Sequence, residues 1–305
     1  MSAIDKNLTE QGIPIPDRVM RAAPLFVEYA VEEVKGDTKE NYLSRPWFRA
    51  IHNPIQKWYE AKYGVALRRP PKLFSGVIEI HGVPFQLEVP AQLRRLSGEK
   101  GVAWLVFPID VEPEENPEDW VANPPNFERM SSNERTVVSQ GIGKVARSLR
   151  MVDCDLQTAL KPDDISEELA KNCFSHLMAS AEYLASGPHQ SLGLSCWEAH
   201  QGVEQVFKLM DRQQRSDHLQ IHELKNLFAN VEGVAVGVEK SFIKVIPSSS
   251  RIIKIRAGEG DGVNLHEAYR IYQAALGAIR ECCNALNHKM RMRNAAFKLK
   301  QAPWL

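Results

Sequence analysis

"RQQRSDHLQIHELKNLF", residues 212–228, decides how the second half of the chain is read. Arg215 and His222 enclose six residues. Metal-free RNA cleavage needs a cation near the scissile phosphate and an imidazole near the 2′-hydroxyl or the leaving group. The same letters also read as a polar turn that opens a helix over "IHELKNLFANVE", residues 221–232. In that reading His222 packs or caps at the helix start. No periodicity forces Arg215 in the turn and His222 on the helix to converge.

Working outward, the surrounding segments are helical. "ISEELAKNCFSHLMASAEYLAS" (165–186) and "LSCWEAHQGVEQVFKLMDRQ" (194–213) read as helices, the first stopped by Gly187-Pro188. "FIKVIPSSSRIIKIRAG" (242–258) holds two short alternating runs around polar turn residues, which predicts a small hairpin or an extended loop. Residues 264–300 read as one long helix, with Asn264 as its cap and Glu267 three residues on.

The first half, up to about residue 155, mixes helix and strand signals. Asp17 and Gly36 bracket an amphipathic pattern with Pro24 inside it, and Ser44 opens a second one that Pro54 breaks or bends. "LFSGVIEIHGVPFQLEVP" (73–90) reads as strand, tight turn at Gly82, strand. "GVAWLVFPIDV" (101–111) is a third strand, apolar enough to be central in a sheet. The acidic, proline-bearing stretch 110–126 reads as a loop with solvated acids. Ser131-x-x-Glu134 is a capping box for a helix over 131–151.

The architecture expected is an α+β N-terminal domain over 1–155 with about three strands, followed by an all-α helical bundle over 163–305 with a basic C-terminal helix end. Composition fits an ordinary globular chain: 305 residues, 44% hydrophobic, 25% charged, net charge zero. That balance gives the whole molecule no bias toward nucleic acid or membrane, so any such bias is local. No apolar run reaches the length of a membrane span, and the polar start lacks a secretory signal core, so a cytoplasmic location is expected. Cys154, Cys173, Cys196, Cys282 and Cys283 form no C-x-x-C pair and read as reduced thiols.

Four pieces of the second half, taken in order, resemble a HEPN domain over residues 165–290. "CWEAHQGVEQVFKLM" (196–210) is similar to the second helix of that family, and "HELKNLF" (222–228) to the start of the third. "SSSRIIKIRAGEG" (248–260) resembles the arginine-bearing segment before the last helix, and "HEAYRIYQAALGAI" (266–279) that last helix. The resemblance implies a compact helical bundle that pairs as a homodimer and binds nucleotide or RNA. Catalytic members carry an Arg, four to six residues and a His near the start of the last helix. Here nine residues lie between Arg256 and His266 and seven between Arg280 and His288, while the two matching spacings, Arg212 to His218 and Arg215 to His222, lie one helix too early.

The expected function is therefore a non-catalytic nucleotide- or RNA-binding regulatory module, of the kind found in bacterial conflict and regulation systems. Lys208, Arg251 and Arg256 are expected at phosphate, with His222 capping or hydrogen bonding. The alternatives are a toxin-like, metal-independent endoribonuclease using Arg215 and His222, and a protein-interaction adaptor. No cofactor is expected. No metal is expected either, because His200 and Glu204 share a helix face but two ligands are too few. Five basic residues in "HKMRMRNAAFKLK" (288–300) suit a helix C-terminus, or a phosphate-contacting tail.

Overall fold

The computed structural model describes residues 1–68, 72–99, 102–187, 189–214, 222–234, 237–238, 240–259 and 262–300. It is a mixed α and β chain with a large helical part, as the sequence pattern predicts. Its contacts divide into two units: one of residues 1–71, 95–104 and 298–305, the other of 72–94 and 105–297. This division runs elsewhere than the one drawn from composition. The hairpin at 73–90 belongs with the helical body, and so does the helix that opens at Ser131.

The first unit is built on α1 (Ser2–Glu10), α2 (Ile15–Ala30) and α3 (Pro46–Tyr63). Both α2 and α3 run through their internal prolines, Pro24 and Pro54. Apolar side chains explain why: Ala22, Ala23 and Val27 of α2 pack with Phe48, Ile55 and Tyr59 of α3, and burial outweighs one lost backbone hydrogen bond per proline. Asp5 is buried and fully engaged. It accepts from Lys62 Nζ at 2.5 Å and the Tyr63 hydroxyl at 2.6 Å, with Arg18 Nη1 at 3.3 Å.

The second unit begins with β1 (Leu73–Ile80) and β2 (Val83–Pro90), an antiparallel pair in which Ile78 faces Phe85. His81 and Gly82 both take positive φ, 52° and 77°, the twist a two-residue hairpin turn requires. Strands β3 (Leu93–Leu96), β4 (Val102–Phe107) and β5 (Ala295–Lys300), whose residues are divided between the two units, make a sheet in the order β3–β4–β5. Thus β4 is central, but in a sheet separate from the hairpin. Strands β3 and β5 have no counterpart in the pattern-based expectation.

Helix α4 (Ser132–Thr158) starts at the expected box, with Ser131 Oγ accepting from the Glu134 amide and the Glu134 carboxylate accepting from the Ser131 amide. The bundle continues through α5 (Asp164–Ala185), α6 (His189–Gln214), α7 (Leu224–Val231), α8 (Lys240–Val245), α9 (Ser249–Ala257) and α10 (Leu265–Ala285). Helix α6 lies at its centre, packed on α5, α7, α9 and α10. Small residues let α5 and α6 close tightly: Ser180 Oγ donates to the Ser195 carbonyl at 2.9 Å and Ser195 Oγ to that of Ser180 at 2.8 Å.

Two expectations fail here for local reasons. Residues 242–258 form α8 and α9, not a hairpin. Ser248 caps α9, Gly258 closes it in the left-handed region, and Ile252 and Ile255 turn inward at helical spacing. The long helix expected to 300 stops at Ala285, and the last described residues form β5 after Asn294 at positive φ. There is no basic helix end. Arg293 instead forks onto buried Asp155 at 3.0 and 2.6 Å, the Leu160 amide donates to the Asn287 carbonyl, and the Lys289 amide donates to the Thr158 carbonyl. Arg291 turns back onto Asn284, so neither arginine is a loose phosphate-contacting cation.

Asp163 ties α5 to α6. Its carboxylate caps the Ser166 amide at 2.8 Å and accepts two bonds from Arg212 Nε and Nη2, at 2.8 and 2.5 Å to Oδ2. Arg212 chiefly, and the capping bonds next, hold the Asp163 carboxyl well below the usual carboxylate range. A depressed folded pKa gives stability that is present above the unfolded value near ~3.9 and lost as pH falls toward the folded one. Asp163→Asn should therefore melt below the wild type at pH 6, and the gap should close as pH falls from about 4 to 2. Thermal melts across that range read it directly; a gap independent of pH would put the effect in packing.

Candidate functional site

His200, Glu204 and Lys208 stand one turn apart on α6 and share one face. All three are buried, with Glu204 only 3% exposed. Glu204 Oε1 accepts from Lys208 Nζ at 2.7 Å and from His222 Nδ1 at 2.9 Å. A carboxylate taken out of water needs such partners, because an unpaired buried charge costs about 3–5 kcal/mol. Deeper along the face, His200 Nδ1 donates to the Pro247 carbonyl at 3.1 Å. Burial chiefly pushes the His200 pKa down, so this imidazole is neutral at pH 7.

His222 is the outward member. It sits just before α7, its side chain is 72% exposed, and its Nδ1 is fixed by Glu204. Its Nε2 has no hydrogen bond to any described residue, so the ring presents that nitrogen to solvent. The backbone is held as well: Ser249 Oγ, on the first turn of α9, donates to the His222 carbonyl at 2.6 Å. The α9 start, with Ser249, Ser250 and Arg251, therefore lies beside the His222 backbone.

The other expected residues are placed differently. Lys208 points inward onto Glu204 and offers nothing to an outside phosphate; pairing that buried carboxylate is the role its i,i+4 position gives it. Arg251 is exposed and shares its guanidinium with Glu267 at 2.6 Å. Arg256 is exposed and lies over the Trp197 ring at 4.3 Å, a cation–π contact that fastens α9 to α6. Arg215 and His218 lie outside the described residues. No cluster of three or more potential metal-ligating side chains occurs among the described residues, and no helix there is long and apolar enough to cross a membrane.

Sequence reasoning places His200 beside Glu204 and singles out His222, but does not join them. The i,i+4 spacing of Glu204 and Lys208 is a signal that one face of α6 carries a buried ion pair. Nothing local signals that a residue eighteen positions on completes it. No family model, curated protein or solved structure matches the chain.

Proposed function

We propose that the helical body is a HEPN-type module that binds nucleotide or RNA in a regulatory role, pairing as a homodimer, with ligand phosphate held at His222 and the first turn of α9. The observation that carries this reading is the exposed imidazole anchored from behind by a buried carboxylate. A surface histidine has no structural need for such an anchor; the anchor fixes the direction of Nε2. The α9 start adds amide N–H groups and the Ser250 hydroxyl, which suit an anionic oxygen. Arg251 adds an exposed cation on the first turn of α9, Arg256 stands on its last turn over Trp197, and Lys208 acts only through Glu204.

The test is binding of a labelled single-stranded RNA and of mononucleotides to the wild type and to His222→Ala. A loss of about tenfold is expected from removing one charge-assisted contact. Equal affinity in both proteins would move the phosphate elsewhere.

The same dyad favours a second reading. A histidine held through Nδ1 by a carboxylate is arranged to move a proton at Nε2, as metal-independent RNA cleavage requires. In that reading Arg215 supplies the charge at the phosphate. Cleavage of mixed RNA by the wild type, reduced at least ~10²-fold in His222→Ala, would select it. Binding without cleavage selects the first reading.

A further inference from the structure

The first unit holds an open cleft of about 590 Å³ between α2, α3 and the short turn that follows α3. Val19, Met20 and Val65 give it an apolar lining, and Met20 is 66% exposed at its mouth. His52 of α3 lines the same cleft although it is only 3% exposed overall. Its Nδ1 is buried without a hydrogen-bond partner, and its Nε2 has none among the described residues either. Burial lowers its pKa, so the ring stays neutral.

A neutral imidazole carries one N–H and one bare nitrogen. Orphaned buried N–H groups are rarer than under-satisfied acceptors, which places the bare nitrogen at sealed Nδ1 and the proton on Nε2. The cleft therefore offers a donor. Arg68, exposed on its rim, offers more donors and a positive charge, and pairs with no described residue. The acid on the same rim, Glu60, accepts from Gln56 Nε2 at 2.8 Å. Two donors and an apolar lining in one cleft define the ligand by its chemistry.

We propose that this cleft binds a small carboxylate with an apolar body, its oxygens taken by His52 Nε2–H and the Arg68 guanidinium. The site is separate from the one at His222, and neither depends on the other.

The probe is 4-fluorobenzoate, followed by fluorine NMR on the full chain, with fluorobenzene as the neutral control. The expected result is saturable binding of the carboxylate, at least tenfold tighter than fluorobenzene. His52→Phe keeps the ring and removes both nitrogens; it should weaken binding about tenfold. It should also melt no lower than the wild type, since it removes an unsatisfied buried polar atom. Arg68→Gln lies on the surface and should weaken binding similarly, so the proposal stays readable if His52→Phe fails to fold. Failure of 4-fluorobenzoate to bind the wild type, or binding that is unchanged in Arg68→Gln or in folded His52→Phe, would overturn it and leave His52 as packing.

Discussion

Replacing Arg150 with Ala should lower the unfolding free energy by about 3–5 kcal/mol, the range for removing one partner of a buried ion pair. Arg150 and Glu115 have side chains 1% and 4% exposed. The guanidinium reaches both Glu115 oxygens, at 2.5 and 2.9 Å, the Asp110 carbonyl at 2.6 Å, and the Pro90 carbonyl from Nε and Nη2 at 3.0 and 2.9 Å. It also lies 5.1 Å from the Trp120 ring centroid. One side chain thus fastens the end of β2 and the 110–120 loop to α4. Urea titration reads the loss. Arg150→Lys should recover little of it, because an ammonium cannot make the planar fork. The double variant Arg150→Ala with Glu115→Ala should lose less than the two single losses added together, because the orphaned carboxylate is gone. Additive losses would show that the two side chains are not coupled.

Glu204→Ala should be nearly as damaging, by about 2–4 kcal/mol, since it strands the Lys208 ammonium inside the bundle. Pairing it with Lys208→Met should restore much of the stability, as two buried charges leave together. The double variant also frees His222 from its anchor. Ring-nitrogen NMR on His222 should then change, with Nδ1 losing the signature of a proton held on a carboxylate, while the fold persists. An unchanged His222 spectrum would mean that Glu204 does not set the ring, and the proposed site would lose its geometry.

How much of the fold was legible in the sequence depends on the range over which each feature is decided. The α4 capping box and the His81-Gly82 turn are settled within four residues, and both read correctly. The 242–258 segment misled because its Ile, Val and Lys alternate as in a strand. Helical spacing of Ile252 and Ile255 matters only because α6 is there to receive them. Residues 286–300 carry no Gly or Pro to mark the helix end. Its path beyond that point is fixed by partners far away, Asp155 above all. Glu115 looked solvated among prolines because its cation is thirty-five residues on, inside another helix. In the candidate site, the Glu204–Lys208 spacing was visible, whereas its burial and its link to His222 needed the third dimension.

The clasp of Arg293 on Asp155 joins residues 138 apart in sequence. During synthesis, α4 leaves the ribosome long before its cation is made. At about 5–20 residues per second, the wait is on the order of ten seconds. Over that interval α5, α6 and α7 emerge in turn, each with an apolar face that packs on its predecessors. The α4 end, with its nearly inaccessible carboxylate, must remain open to water until Arg293 appears. The synthesis of Arg293, and not the collapse of the helices, is then the event that seals the helical body.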